Sequence, residues 1–158
     1  MPTTTDPAPA AAGGYHPALG FLAGLLAGLF LDHRLPLPGT PWPLALRLAG
    51  TLPMLASLGL GGWGIATLRR ARTPIEPGRV PACLVTAGPF RFSRNPLYLA
   101  QLLFLTGLGL LAFPWLLPFA ALQSVLLDRL VIPREERLLA ACFGEAYGSY
   151  RKRVRRLL

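Results

Sequence analysis

Residues 96–127 read PLYLAQLLFLTGLGLLAFPWLLPFAALQSVLL, without one charged side chain. As a single helix these 32 residues would extend about 48 Å at 1.5 Å per residue, far more than a hydrocarbon core of about 30 Å. When the stretch is carried on to Ile132, Pro114 and Pro118 fall near its middle, and proline breaks a helix by removing a donor and crowding the preceding turn. The stretch therefore reads as a helical hairpin, with spans at 97–113 and 117–132 and a turn between them. Such a hairpin returns the chain to the side of the membrane it left.

Two more apolar runs precede it. Residues 15–31 carry no charge before Asp32, and residues 48–68 lie uncharged between Arg47 and Arg69. Four spans make an all-α, polytopic membrane protein. The composition agrees: hydrophobic residues are 53% of the 158-residue chain and charged residues 15%, against about a quarter charged in soluble domains. A formal charge of +9 in so apolar a chain requires the two properties to be segregated. That excludes a conventional soluble enzyme, a disordered tail and a nucleic-acid module, whose basic residues interleave with polar ones. Cys83 and Cys142 are too few for a disulfide scaffold and have no metal-ligand spacing, so no metal is expected. Residues 1–14, rich in Thr, Pro and Ala and free of Lys and Arg, read as a disordered leader rather than a secretory signal. Residues 15–158 then form one domain.

Positive charge sets the orientation. The connection 69–94 holds six Arg and the segment from Arg129 onward eight Lys or Arg, leaving Arg34 and Arg47 for the opposite face. The positive-inside rule places both termini and the central connection in the cytoplasm, with the basic clusters against an anionic inner leaflet. A bacterial inner membrane is the expected location. From Pro133 the pattern changes: Leu139, Phe143, Tyr147, Tyr150 and Val154 recur at helical spacing among Arg and Lys. Proline in the first turn, with Glu135 and Glu136 near the positive helix end, is good start chemistry. An amphipathic helix over 133–156 should lie along the cytoplasmic interface.

The hairpin carries a consequence for chemistry. A chain that leaves after Asn95 and returns before Pro133 brings Arg94, Asn95 and Tyr98 to the same rim as Glu135 and Glu136. Carboxylates at a membrane are costly unless paired or serving a ligand. Composition alone leaves two readings open, an Arg94–glutamate salt bridge with helix capping or a ligand site. Adjacent helical residues point about 100° apart, so if a ligand is held, one glutamate faces it while the other pairs with Arg94 or Arg137.

The loop before the hairpin reads Leu84-Val85-Thr86-Ala87-Gly88-Pro89-Phe90-Arg91-Phe92-Ser93-Arg94-Asn95-Pro96-Leu97-Tyr98. After the hairpin come Glu135-Glu136 and Phe143-Gly144-Glu145-Ala146-Tyr147-Gly148-Ser149-Tyr150 with a basic tail. In this order, and with two spans between them, these segments resemble the integral-membrane methyltransferases, the family of isoprenylcysteine carboxyl methyltransferase and the phospholipid methyltransferases. The likeness covers about 73–156. It implies an S-adenosyl-L-methionine-dependent methyltransferase whose cofactor binds at the cytoplasmic face, while a lipophilic acceptor enters from the bilayer. The acceptor would be isoprenylcysteine carboxylate-like or phospholipid amine-like. By the same resemblance, Cys83, Leu84 and Val85 line the adenosine pocket, and Phe90 packs against the cofactor. Asn95, Pro96, Leu97 and Tyr98 form the cofactor-binding start of the hairpin, and Glu135, with Glu136 beside it, holds the cofactor's amino group. Arg94, Asn95, Tyr98 and Glu135 are the candidate catalytic residues. Asn95 stands where prenylcysteine enzymes carry His, Ala100 where the family has Gly, and Val131 where the prenylcysteine enzymes have Arg.

Direct in-line transfer is the expected mechanism, driven by near-attack geometry and exclusion of water. A carboxylate or neutral amine acceptor needs no strong base, whereas a thiol or hydroxyl does. No histidine is expected near the site: His16 is assigned to the cytoplasmic edge of the first span and His33 to the outside. Gly20, Gly24 and Gly28 form a small-residue stripe, read as packing within the chain rather than as a dimer face. Gly59, Gly61, Gly62 and Gly64 are read as packing too, and the oligomeric state stays open. The alternative to an enzyme is a membrane scaffold that keeps the fold. A transporter is disfavoured, since no span carries a charged pair near its midplane.

Overall fold

The computed structural model describes residues 15–37 and 42–157. The leader expected over 1–14 lies outside the described residues. The order is α1 (Pro17–Arg34), α2 (Leu44–Arg70), a single 3-10 turn (Gly88–Arg91), α3 (Pro96–Leu111), α4 (Leu116–Leu126), a π turn (Leu127–Val131) and α5 (Ile132–Arg153). Among the described residues the one extended pairing is an isolated bridge between Ser93 and Arg155. The all-helical class expected from sequence is what the chain adopts.

Prolines mark the helix starts. Pro17, Pro96 and Pro133 sit in the first turns of α1, α3 and α5, where the missing N–H costs nothing. The apolar composition then decides where the helices sit. Two of them, Leu44–Arg70 and the continuous run Leu116–Arg153, are long and apolar enough to cross a membrane, and α3 is a shorter apolar helix. Only 11% of the most apolar 18-residue window of α2 is buried. Leu48, Leu52, Leu55 and Leu58 stand open on its surface. A water-soluble fold would bury such a helix; a bilayer solvates it.

Glycines set how closely the helices cross. A Cβ on Gly107 of α3 would lie 2.7 Å from the Met54 nitrogen of α2, and one on Gly50 would lie 2.8 Å from the Gly107 carbonyl oxygen. The two backbones therefore touch at this pair. On α1, Gly24 and Gly28 pack against Phe119 and Leu116 of α4, so the small-residue stripe serves packing within the chain. Gly61 and Gly64 abut Ala100 and Leu97, whereas a side chain at Gly59 or Gly62 would meet nothing.

The turn between α3 and α4 falls where the prolines predict it. Around it the Trp42 indole donates to the Gly109 carbonyl at 3.2 Å and the Trp115 indole to the Leu35 carbonyl at 2.8 Å. The other end of the bundle gathers the Arg-rich segments and is called the basic end below.

One expectation needs correction. The sequence reading separates a span at 117–132 from an interfacial helix at 133–156, but the helix that starts at Leu116 continues through Pro133 as far as Gly144. The π turn explains it: the Ile132 N–H bonds to the Leu127 carbonyl, five residues back, and this wider turn absorbs the disruption Pro133 would cause. The break comes later, at Gly144 (φ 49°, ψ −123°), a conformation favouring glycine. Helix α5 also stops at Arg153, and Val154 is extended.

Candidate functional site

At the basic end, α2 closes with a hydrogen-bond pattern that aims the following loop. The Thr73 N–H bonds to the Leu68 carbonyl at 3.1 Å and the Arg72 N–H to the Arg69 carbonyl at 3.0 Å. This is a Schellman cap with Arg72 at φ 51°, a position that usually belongs to glycine. The cap turns the chain back so that Thr73 is buried. The segment 73–79 then passes across the first turns of α3 and α5.

Tyr98 lies in the first turn of α3 and Glu135 in the first turn of α5. They meet directly, with the Tyr98 hydroxyl donating to Glu135 Oε1 at 2.5 Å. The π turn before α5 fixes this register. One residue more or less there would rotate the helix by about 100° and present a different side chain to Tyr98.

These two residues line a cavity of about 390 Å³, within the range of small-molecule sites. Its walls come from four places: His16, Pro17 and Ala18 at the start of α1; the segment Thr73–Arg79; Phe90, Arg94 through Tyr98, and Gln101 around α3; and Glu135, Leu138 and Leu139 of α5. Glu76 and Arg79 form an exposed ion pair on this wall. Arg94 also contributes to the wall, but its guanidinium is committed elsewhere.

That commitment is a buried network. Arg94 Nη1 lies 2.9 Å from Glu136 Oε1, both side chains 9% exposed. Arg156 reaches Glu136 Oε2 at 3.0 Å and Asp128 Oδ1 at 2.8 Å. Hydrogen bonds to Asp128, then to Glu136, raise the Arg156 guanidinium above its ordinary value. The tail carrying Arg156 is tied to the loop by backbone contacts. The Arg94 N–H donates to the Arg155 carbonyl at 2.9 Å, and Asn95 Nδ2 donates to the Arg156 carbonyl, also at 2.9 Å. Tyr150 adds a bond from its hydroxyl to the Phe90 carbonyl at 2.7 Å. The last residues of the chain thus clamp the segment 90–95 from behind.

Of the residues singled out from sequence, Phe90, Arg94, Asn95, Pro96, Leu97, Tyr98 and Glu135 share the cavity wall. Cys83, Leu84, Val85 and Glu136 are not on it. Cys83 is exposed, with its thiol 3.6 Å from the Ala71 carbonyl oxygen and 3.5 Å from Thr73 Oγ1. Glu136 is the glutamate that pairs with Arg94, and its second partner is Arg156 rather than Arg137, which bonds to the Pro133 carbonyl.

The expectation that no histidine approaches the site is overturned, because His16 is on the cavity wall. Gln123 of α4 donates to the Pro17 carbonyl at 3.3 Å, and Tyr15 bonds to the same glutamine. These bonds pin the start of α1 beside Tyr98 and α5. The segment Thr73–Arg79 and Gln101 were missed as well. The prolines at 74, 77 and 81 mark a stiff loop, yet nothing in a local pattern says what it covers. Among the described residues no group of three or more His, Cys, Asp or Glu is arranged to hold a metal ion.

Comparison with known proteins gives a matching result. A family described as phospholipid methyltransferase matches residues 46–146, a range that runs from α2 past Glu135. The chain is 36% identical over 104 residues to the cobalt-zinc-cadmium resistance protein CzcN of Cupriavidus metallidurans; the alignment covers 65% of this chain and 48% of that protein. The chain therefore spans about half the length of this curated relative. No solved structure matches.

Proposed function

The chain belongs to the phospholipid methyltransferase family, and from that premise we propose that it transfers a methyl group from S-adenosylmethionine to a lipophilic acceptor at the cytoplasmic face of a bacterial inner membrane. The observation that carries this reading is the Tyr98–Glu135 pair on the cavity wall. Among the described residues Glu135 has no cationic partner. A carboxylate held unpaired in a cleft suits a cationic ligand.

The residues present fit the cofactor. Glu135 offers a carboxylate to its ammonium group, and Phe90 and Tyr98 offer aromatic rings, whose faces attract cations. When bound, S-adenosylmethionine supplies a methyl group on a positively charged sulfur. The protein's own part is positional. Tyr98 orients Glu135, the clamp of Arg155 and Arg156 fixes the segment that bears Phe90 and Asn95, and the loop 73–79 screens the cavity from water. Holding reactants in near-attack geometry is worth up to about 7–11 kcal/mol of barrier.

The membrane arrangement is part of the proposal. Helices α1, α2 and α3 and the stretch 116–132 of the helix that continues into α5 are the four spans, with the rest of α5 along the cytoplasmic interface and both termini inside. The acceptor, whether isoprenylcysteine carboxylate-like or phospholipid amine-like, arrives from the bilayer.

Calorimetric titration of S-adenosylhomocysteine into nanodisc-embedded protein tests the reading. Saturable binding that is lost in Glu135→Ala is the expected result. Folded protein that binds neither S-adenosylhomocysteine nor S-adenosylmethionine would leave a scaffold that keeps the fold without its chemistry.

A further inference from the structure

We infer that His16 is the proton acceptor of this site, and that the methyl acceptor is a nucleophile bearing a removable proton on nitrogen or sulfur. The inference rests on the methyl-transfer reading and goes beyond it in assigning the residue and the acceptor chemistry.

Three observations lead to it. His16 lines the same cavity as Tyr98 and Glu135. It precedes the first turn of α1, where its carbonyl accepts the Gly20 N–H at 2.9 Å, but its side chain takes no part in capping. Among the described residues the imidazole has no hydrogen bond or ion pair, and Gln101 Oε1 on the same wall is likewise without a partner. The start of α1 is itself fixed, through Gln123 bonding to Pro17 and Tyr15.

The charges on the wall narrow the acceptor. The ionisable groups sharing it with His16 are Glu76 and Arg79 of the loop, Arg94 before α3, Tyr98 on α3 and Glu135 on α5. Arg79 is matched by Glu76, and Arg94 by Glu136. Among these residues no cation is left to hold an acceptor carboxylate. An ammonium or a thiol needs none. Each must lose a proton to become nucleophilic, and an imidazole is the side chain best matched to that task near neutrality.

The step balances. The acceptor's N–H or S–H proton passes to a ring nitrogen of His16. The freed lone pair forms the new bond to the methyl carbon of the sulfonium donor. The carbon–sulfur bond breaks with its electron pair moving onto sulfur, which leaves a neutral thioether.

The test uses full-length protein in nanodiscs, methyl-labelled S-adenosylmethionine, and dodecylamine, dodecanethiol and dodecanoate as acceptors, with wild type beside His16→Ala and His16→Gln. Label should enter the amine or the thiol and not the carboxylate. Both variants should lower that rate about 100-fold and keep wild-type affinity for S-adenosylhomocysteine. Added imidazole should restore part of the His16→Ala rate, which a purely structural role would not allow. Diethyl pyrocarbonate should modify His16, and dodecylamine with S-adenosylhomocysteine should protect it. Transfer to dodecanoate alone, transfer to none of the three, or an unchanged rate in both variants overturns the assignment. Wild type that fails to bind S-adenosylhomocysteine overturns the methyl-transfer reading itself.

Discussion

Adjacent glutamates on a helix point about 100° apart, and at the start of α5 that angle sends one to the cavity and the other to two arginines. Glu135 accepts from Tyr98, whereas Glu136 is held between Arg94 and Arg156. Their substitutions should fail differently. Glu135→Gln removes a charge that no cation in the folded chain needs. It should leave the thermal unfolding midpoint in detergent unchanged while weakening S-adenosylhomocysteine binding at least about tenfold, the scale of one charge-assisted hydrogen bond. Glu136→Gln strands the Arg94 guanidinium beside a neutral amide and leaves Arg156 with Asp128 alone. Breaking a buried pair costs about 3 kcal/mol or more, so the midpoint should fall, as differential scanning fluorimetry will report. The sequence reading brought both acids to the rim because the hairpin returns the chain there. It left open which acid faces the ligand, since the answer depends on a π turn that no residue pattern announces. Arg156 was invisible as a partner because the path to it passes through the bend at Gly144.

The helices were legible where hydrophobic runs and prolines define them and illegible where a local distortion overrides a proline. Uncharged stretches and Pro114 located the α3–α4 turn, because a run too long for one span has to fold back. Pro133 misled, since the π turn ahead of it lets the helix continue. Helix ends and crossings also support predictions. Arg72 caps α2 at φ 51°, which costs a side-chain-bearing residue about 1 kcal/mol or more relative to glycine. Arg72→Gly should therefore raise the unfolding midpoint. At the α2–α3 crossing the opposite change is costly: Gly107→Ala puts a methyl 2.7 Å from the Met54 nitrogen. The helices must part, so the midpoint should drop, whereas Gly62→Ala, with open space around it, should leave it unmoved or slightly raised. Thermal unfolding of the three variants side by side separates backbone contact from general intolerance of change.

At the scale of the whole molecule, the distribution of charge bears on orientation in the membrane. The basic end carries the site, the arginine clamp and both native cysteines, while Arg34, Leu35 and Trp115 mark the far end. The positive-inside rule counts Lys and Arg flanking the spans, and under the proposed topology the imbalance puts the site inside. Cys83 and Cys142 are free and exposed, so they report the side directly. A membrane-impermeant maleimide should label both in inverted inner-membrane vesicles and neither in spheroplasts. A cysteine-free variant carrying Leu35→Cys, at a position 58% exposed, should give the reverse pattern. Labelling of the native cysteines from outside would invert the topology. The site would then face away from cytoplasmic S-adenosylmethionine, so the proposed chemistry requires the first pattern.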